Sequence, residues 1–109
     1  MSNYQSAAGN EPPRDEIDRS TGQLVLEFGA PWCPHCQGVQ PALKQEMDAH
    51  PGVAHIKVED GKGRPLGRSF SVKLWPTLVF LKDGVELRRV VRPSDAELQQ
   101  AFAEFAKTI

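Results

Sequence analysis

Gln23-Leu24-Val25-Leu26-Glu27-Phe28-Gly29 is a nearly continuous apolar run of strand length that leads directly into Ala30-Pro31-Trp32-Cys33-Pro34-His35-Cys36. Because the run does not alternate between polar and apolar residues, it predicts a strand covered on both faces and therefore central in its sheet. Beyond it, Cys36, Val39, Leu43 and Met47 recur at spacings of three and four, which predicts an amphipathic helix over roughly 34 to 49. Pro34 suits the first helical position, where a missing N–H costs nothing, whereas Pro41 falls inside the helix and should kink it. Pro51-Gly52 then stops it.

The rest of the chain supplies the layers such a strand needs. Val53-Ala54-His55-Ile56-Lys57-Val58 alternates apolar and polar residues and reads as a second strand. Residues 61 to 73 carry four basic groups and no acidic one, and read as a solvated loop with a short helix near Pro65 to Phe70. A phosphate cradle is the alternative, but neither glycine fingerprint for phosphate is present. Pro76 to Leu81 and Val85 to Val91 flank Lys82-Asp83-Gly84, which predicts an antiparallel hairpin. Ser94 and Glu97 have capping-box spacing and open a last helix with Leu98, Ala101, Phe102 and Phe105 as its apolar stripe. Residues 1–13 are polar and read as a lead-in, with room for a short helix from Pro13 to about Arg19, and 14–109 form a single domain. The order strand, helix, strand, short helix, hairpin, helix describes an α/β domain with a central mixed β-sheet flanked by helices on both faces.

Composition narrows the function. One hundred and nine residues suit one domain, and 39% apolar with 25% charged residues fits a soluble globular chain. Thirteen Lys and Arg against fourteen Asp and Glu leave a net charge of -1, too little positive charge to neutralise a run of phosphates, so nucleic acid is a poor partner. The apolar runs are far shorter than the roughly 20 residues a spanning helix requires, so no membrane is expected. The first residues have neither a basic head nor an apolar stretch of the secretory kind, and a cytoplasmic home is the default.

Two cysteines, Cys33 and Cys36, are the whole supply. A disulfide-stapled secreted domain would carry more, spread along the chain, so this pair asks for a chemical role. At a strand-to-helix junction the first sulfur sits at the helix N-terminus, where unpaired N–H groups and the helix dipole favour an anion, and Cys33 should ionise easily to the thiolate that attacks disulfides. Cys36 lies one turn in and is the natural resolving thiol. His35 between them can be protonated or can donate N–H bonds toward the sulfur, and both favour the thiolate. A tetrahedral zinc site would need ligands beyond these two, and His35, His50 and His55 have no recognised spacing; covalent haem needs His where Gln37 stands. No metal or organic cofactor is expected, the redox-active Cys33-Cys36 pair being the reactive group. Glu27 interrupts the buried strand six residues before Cys33, a costly place for an acid without a task; the reading adopted is a proton acceptor and donor for Cys36 reached through water, the alternative a side chain turned to solvent beside a base. Trp75-Pro76, at the entry to a strand, is a candidate cis peptide.

Together Phe28 to Cys36, Pro41, Trp75-Pro76-Thr77 and Lys82-Asp83-Gly84 resemble the thioredoxin family over roughly residues 20 to 107. The resemblance implies a thioredoxin-like fold and assigns roles position by position: Cys33 the nucleophile, Cys36 the resolving cysteine, Trp32 a flanking wall, Glu27 the buried acid, Pro76 the cis-proline and Pro41 the proline that kinks the active-site helix. The usual pattern has Gly-Pro between the cysteines, Asp at position 27, Trp at 29 and Lys at 37, where this chain has Pro34-His35, Glu27, Gly29 and Gln37. Its Pro-His pair is similar to that of DsbA-type disulfide oxidases.

The expected function is a thiol–disulfide oxidoreductase acting on protein disulfides, in the direction of reduction. Cys33, Cys36, Glu27, His35 and Pro34 form the catalytic set, and Trp32, Trp75 and Pro76 contact the substrate. The resemblance implies a thioredoxin reductase as electron donor, and a monomer is expected. The rivals are a small oxidase or isomerase, favoured by Pro34-His35, and a non-catalytic thioredoxin-like binding module.

Overall fold

The computed structural model describes residues 4–5 and 11–108. Its elements are β1 (Tyr4–Gln5), α1 (Arg14–Asp18), β2 (Gln23–Gly29), α2 (Pro34–Ala49), β3 (Ala54–Glu59), α3 (Pro65–Ser69), β4 (Thr77–Lys82), β5 (Val85–Val91) and α4 (Asp95–Ala106). The strands form one sheet in the order β1-β3-β2-β4-β5. Pairing is parallel for β1 with β3 and for β3 with β2, then antiparallel for β2 with β4 and β4 with β5. The sheet is therefore mixed, as expected, with β2 at its centre. Tyr4 and Gln5 correct the reading of residues 1–13 as a structureless lead-in, since they pair with Lys57 and Val58 at one edge. Two residues are too few to show a period, so polarity alone decided that reading. The rest of the expected lead-in up to residue 10 lies outside the described residues, as does Ile109.

Alternation along β2 and β4 builds two cores. Leu24, Leu26 and Phe28 point to one face, where they join Val79 and Leu81 of β4, Ile17 of α1, and Leu66 of α3 with Phe70 at its end. Val25 points to the other, where Leu78 and Phe80 meet Val39 and Leu43 of α2 and Leu98, Phe102 and Phe105 of α4. Phe80 lies edge-on to both Phe102 and Phe105, with ring centroids 5.1 Å apart in each pair, a geometry that matches the positive ring edge to the negative face. Glu27 shares the face of Val25 by the period of two, so it lies under α2.

The ends of the elements follow their local chemistry. Pro34 occupies the first turn of α2 and Pro41 lies inside it, where the missing N–H denies Gln37 its acceptor bond. Ser94 accepts from the Glu97 N–H while the Glu97 carboxylate accepts from the Ser94 N–H, completing the capping box of α4. The hairpin turns on Asp83 (φ 50°) and Gly84 (φ 80°), both left-handed as a two-residue turn of this type requires.

Candidate active site

The backbone turns at Ala30-Pro31-Trp32 and enters α2 with Cys33 as its N-cap, in an extended conformation. The Cys33 Sγ accepts the N–H of Cys36 at 3.3 Å, so the sulfur stands where a capping oxygen normally would. An N–H aimed at sulfur from the mouth of a helix suits negative charge there. Cys36 is one turn further in and 1% exposed, against 5% for Cys33. Both are free thiols. Burial first, and then a hydrogen bond with the Cys33 sulfur, push the Cys36 thiol up to about 12; the Ala30 backbone opposes this, and charge on Cys33 and Glu27 adds to it. A thiol held that far above neutrality keeps its proton, so this sulfur needs a base before it can attack.

Two tryptophans wall the sulfurs. Trp75 packs against Ala30, Cys33 and Cys36, and Trp32, 67% exposed, meets it edge-on with centroids 5.4 Å apart. The Trp75–Pro76 peptide is cis, as the sequence suggested, and Pro76 is buried. Arg92 holds this segment from β5's end: its N–H donates to the Pro76 carbonyl at 2.9 Å and its Nε to the Trp75 carbonyl at 2.8 Å. His35 is exposed and lines a shallow cleft with Pro34, Pro76, Arg92 and Asp95. No hydrogen bond joins its ring to the Cys33 sulfur, which leaves the other of the two routes the sequence offered, the charge of a protonated ring acting through space.

Glu27 does not turn to solvent. It is 0% exposed, and its Oε1 lies 2.8 Å from His55 Nε2 while its Oε2 accepts from Gln40 Nε2 at 2.7 Å. The same Gln40 amide donates to the Cys36 carbonyl at 2.9 Å, and its Oε1 accepts from Lys57 Nζ at 3.1 Å. A polar layer thus runs from the acid to the backbone of the buried cysteine. Gln40, His55 and Lys57 had no signal in the sequence, because Gln40 is one helical polar residue among several and the other two are ordinary residues of an alternating strand. The parallel register, Val25 opposite His55 and Glu27 opposite Lys57, brings them to the acid.

A second unforeseen contact sets the position of Trp75. Its Nε1 donates to Asp60 Oδ2 at 2.8 Å, and Asp60 fits only because α3 has a glycine facing it: a Cβ on Gly67 would lie 2.1 Å from Asp60 Oδ1 and 2.6 Å from its carboxyl carbon. Gly67→Ala is expected to swing Asp60 aside and release the indole, changing tryptophan fluorescence in a way that Asp60→Ala reproduces. Unaltered emission in the Gly67→Ala chain would mean the carboxylate stays in place.

A buried central strand that ends in a cysteine-capped helix, walled by a tryptophan beside a cis-proline, defines a dithiol site on a thioredoxin-like fold. The family model for thioredoxin matches residues 9–104, and the chain belongs to the thioredoxin family. Thioredoxin H-type 1 of Nicotiana tabacum is 36% identical over 76% of this chain and 66% of its own length, and the putative thioredoxin H10 of Arabidopsis thaliana is 31% identical over 76% and 54%. The chain thus spans less than two thirds of the length of these curated relatives. Thioredoxin 2 from Pseudomonas aeruginosa PAO1, solved in its reduced form, superposes with a TM-score of 0.81 at 55% identity, over 89% of this chain and 91% of that one.

Proposed function

We propose that this protein is a thiol–disulfide oxidoreductase that reduces protein disulfides through Cys33 and Cys36. The observation that carries the reading is the division between the two sulfurs: Cys33 caps α2 and receives the Cys36 N–H, whereas Cys36 is sealed and holds its proton. In the first step the Cys33 thiolate attacks one sulfur of a client disulfide, forming a mixed disulfide and expelling the other client sulfur as a thiolate. Glu27 then takes the Cys36 proton through a water molecule. The Cys36 thiolate attacks the Cys33 sulfur, the bond from Cys33 to the client breaks, and the client leaves with two electrons gained while the protein holds a Cys33–Cys36 disulfide. Trp32, Trp75 and Pro76 form the wall against which a client segment rests, and Pro34 shapes the first turn of α2 around the sulfurs. The chemistry needs no metal or organic cofactor. A thioredoxin reductase would return the bridge to the dithiol, in a cytoplasmic setting and with the protein acting as a monomer.

Two measurements test this reading. The protein should accelerate the reduction of insulin by dithiothreitol, and a non-catalytic binding module would not. Titration of the Cys33–Cys36 pair against glutathione should give a potential nearer the roughly −270 mV of a reducing thioredoxin than the roughly −120 mV of a strong oxidase. A value at the oxidising end would reverse the direction of electron flow and favour the oxidase that Pro34-His35 suggests.

A further inference from the structure

We propose that His55 is the proton outlet of this site, a positioning residue that acts through Glu27 and carries the Cys36 proton to solvent behind α2. The inference rests on the proposed disulfide exchange and adds to it the step by which a sealed acid recovers its charge. Glu27 is 0% exposed, so a proton taken from Cys36 through the bridging water cannot pass from the carboxyl directly to bulk solvent. Its Oε2 faces the Gln40 amide, which neither gains nor loses a proton near neutrality. Its Oε1 faces His55 Nε2 at 2.8 Å, and imidazole is the side chain that both takes up and releases a proton in that range.

His55 also reaches the outside. Its side chain is 14% exposed, and it lines an open groove of about 320 Å³ together with Gln40, Lys44, Asp48 and Lys57. Glu27 of β2 contacts the ring, and the charged groups that line the groove with it are Lys57 from its own strand and the Lys44–Asp48 pair of α2, whose atoms are 2.8 Å apart. The ring therefore joins a dry carboxylate to a wet groove along the middle and last turns of α2, whose lining includes none of Trp32, Trp75 and Pro76, against which clients would rest. In the resolving step the Cys36 proton passes to Glu27 and from Glu27 to His55 Nε2, and the imidazolium gives a proton to groove water. Cys36 attacks Cys33 as the thiolate and the client departs with the bonding electrons, so charge and atoms balance without another reagent.

The test separates resolution from attack. His55→Gln keeps a hydrogen-bonding group against Glu27 but cannot relay a proton. Its single-turnover decay of a mixed disulfide between Cys33 and a labelled peptide should be slower by about tenfold at neutral pH, at or below the usual effect of a positioned acid–base group. The dependence of that rate on pH in the imidazole range should disappear, and in His55→Ala, which vacates the space of the ring beside Glu27, free imidazole should restore the rate. Formation of the mixed disulfide, measured in a Cys36→Ser background, should be unaffected by His55→Gln. Resolution at the wild-type rate would overturn the relay, and so would slow resolution with an unaltered pH profile and no rescue, which would make His55 a structural partner of Glu27. Both results leave the proposed function standing, provided the wild-type protein turns over; a wild-type protein that forms no mixed disulfide would sink that function and the relay with it.

Discussion

Cys36→Ser is expected to hold disulfide-bearing proteins on Cys33 as stable mixed disulfides, and Cys33→Ser to hold none. The asymmetry follows from the placement of the two sulfurs. Cys33 stands at the head of α2, with the Cys36 N–H directed at it and an exposed Trp32 beside it. Cys36 is 1% exposed and its thiol is pushed up to about 12, so without Cys33 to bring a client sulfur to it, it neither meets a disulfide nor ionises. Both variants should lose insulin reduction by on the order of 10^3-fold or more, as when a member of a cooperating catalytic group is removed. Only Cys36→Ser should yield adducts on a non-reducing gel that disappear with dithiothreitol. Equal trapping by the two variants would mean that Cys36 can begin the reaction, and the assignment of roles would fall.

Gly84→Ala should be the most damaging small substitution for stability. Gly84 has φ 80° and its missing side chain faces backbone: a Cβ there would lie 2.1 Å from the Asp18 carbonyl oxygen and 2.7 Å from its carbon. The neighbouring Asp83 is tied to the loop before β2 from both directions, its Oδ1 accepting the Gly22 N–H at 2.8 Å and its own N–H donating to the Gly22 carbonyl at 3.0 Å. The hairpin cannot relax without breaking those bonds or moving the end of α1. A left-handed conformation for an L residue costs about 1–2 kcal/mol by itself, and the clash adds to it. A loss of at least about 2 kcal/mol should lower the melting temperature by roughly 10 °C in a domain of this size. Gly38→Ala is the matched control. Its Cβ would meet nothing within 4 Å inside α2, so Ala there should be neutral or slightly stabilising. Similar melting temperatures for the two variants would show that the hairpin yields where it is drawn as rigid.

Much of this architecture is legible in the sequence. The bounds of α2, the capping box at Ser94 and the hairpin on Asp83-Gly84 agree with the structure because each is written in neighbouring residues: a spacing of three and four, a side chain that reaches its own helix, a glycine where φ is positive. Cys33 and Cys36 were legible for the same reason, since three residues along one helix place both sulfurs at its first turn. β1 was not, because Tyr4-Gln5 is too short to carry a pattern and becomes a strand only by pairing with Lys57-Val58. The direction of the His35 side chain was not legible either: the first turn of α2 sends it to the cleft shared with Arg92 and Asp95, and it makes no hydrogen bond to the Cys33 sulfur.

By itself the sequence determined every element but β1, the order of those elements and the reactive pair, because those depend on contacts within a few residues. The surroundings of the pair were decided only in three dimensions. Parallel register between β2 and β3 brought His55 and Lys57 to Glu27 across twenty-eight and thirty residues of chain, the packing of α2 set Gln40 between that acid and Cys36, and a bare Gly67 let Asp60 hold Trp75. Each of these requires the alignment of elements distant in sequence, which the folded core enforces and no local pattern encodes.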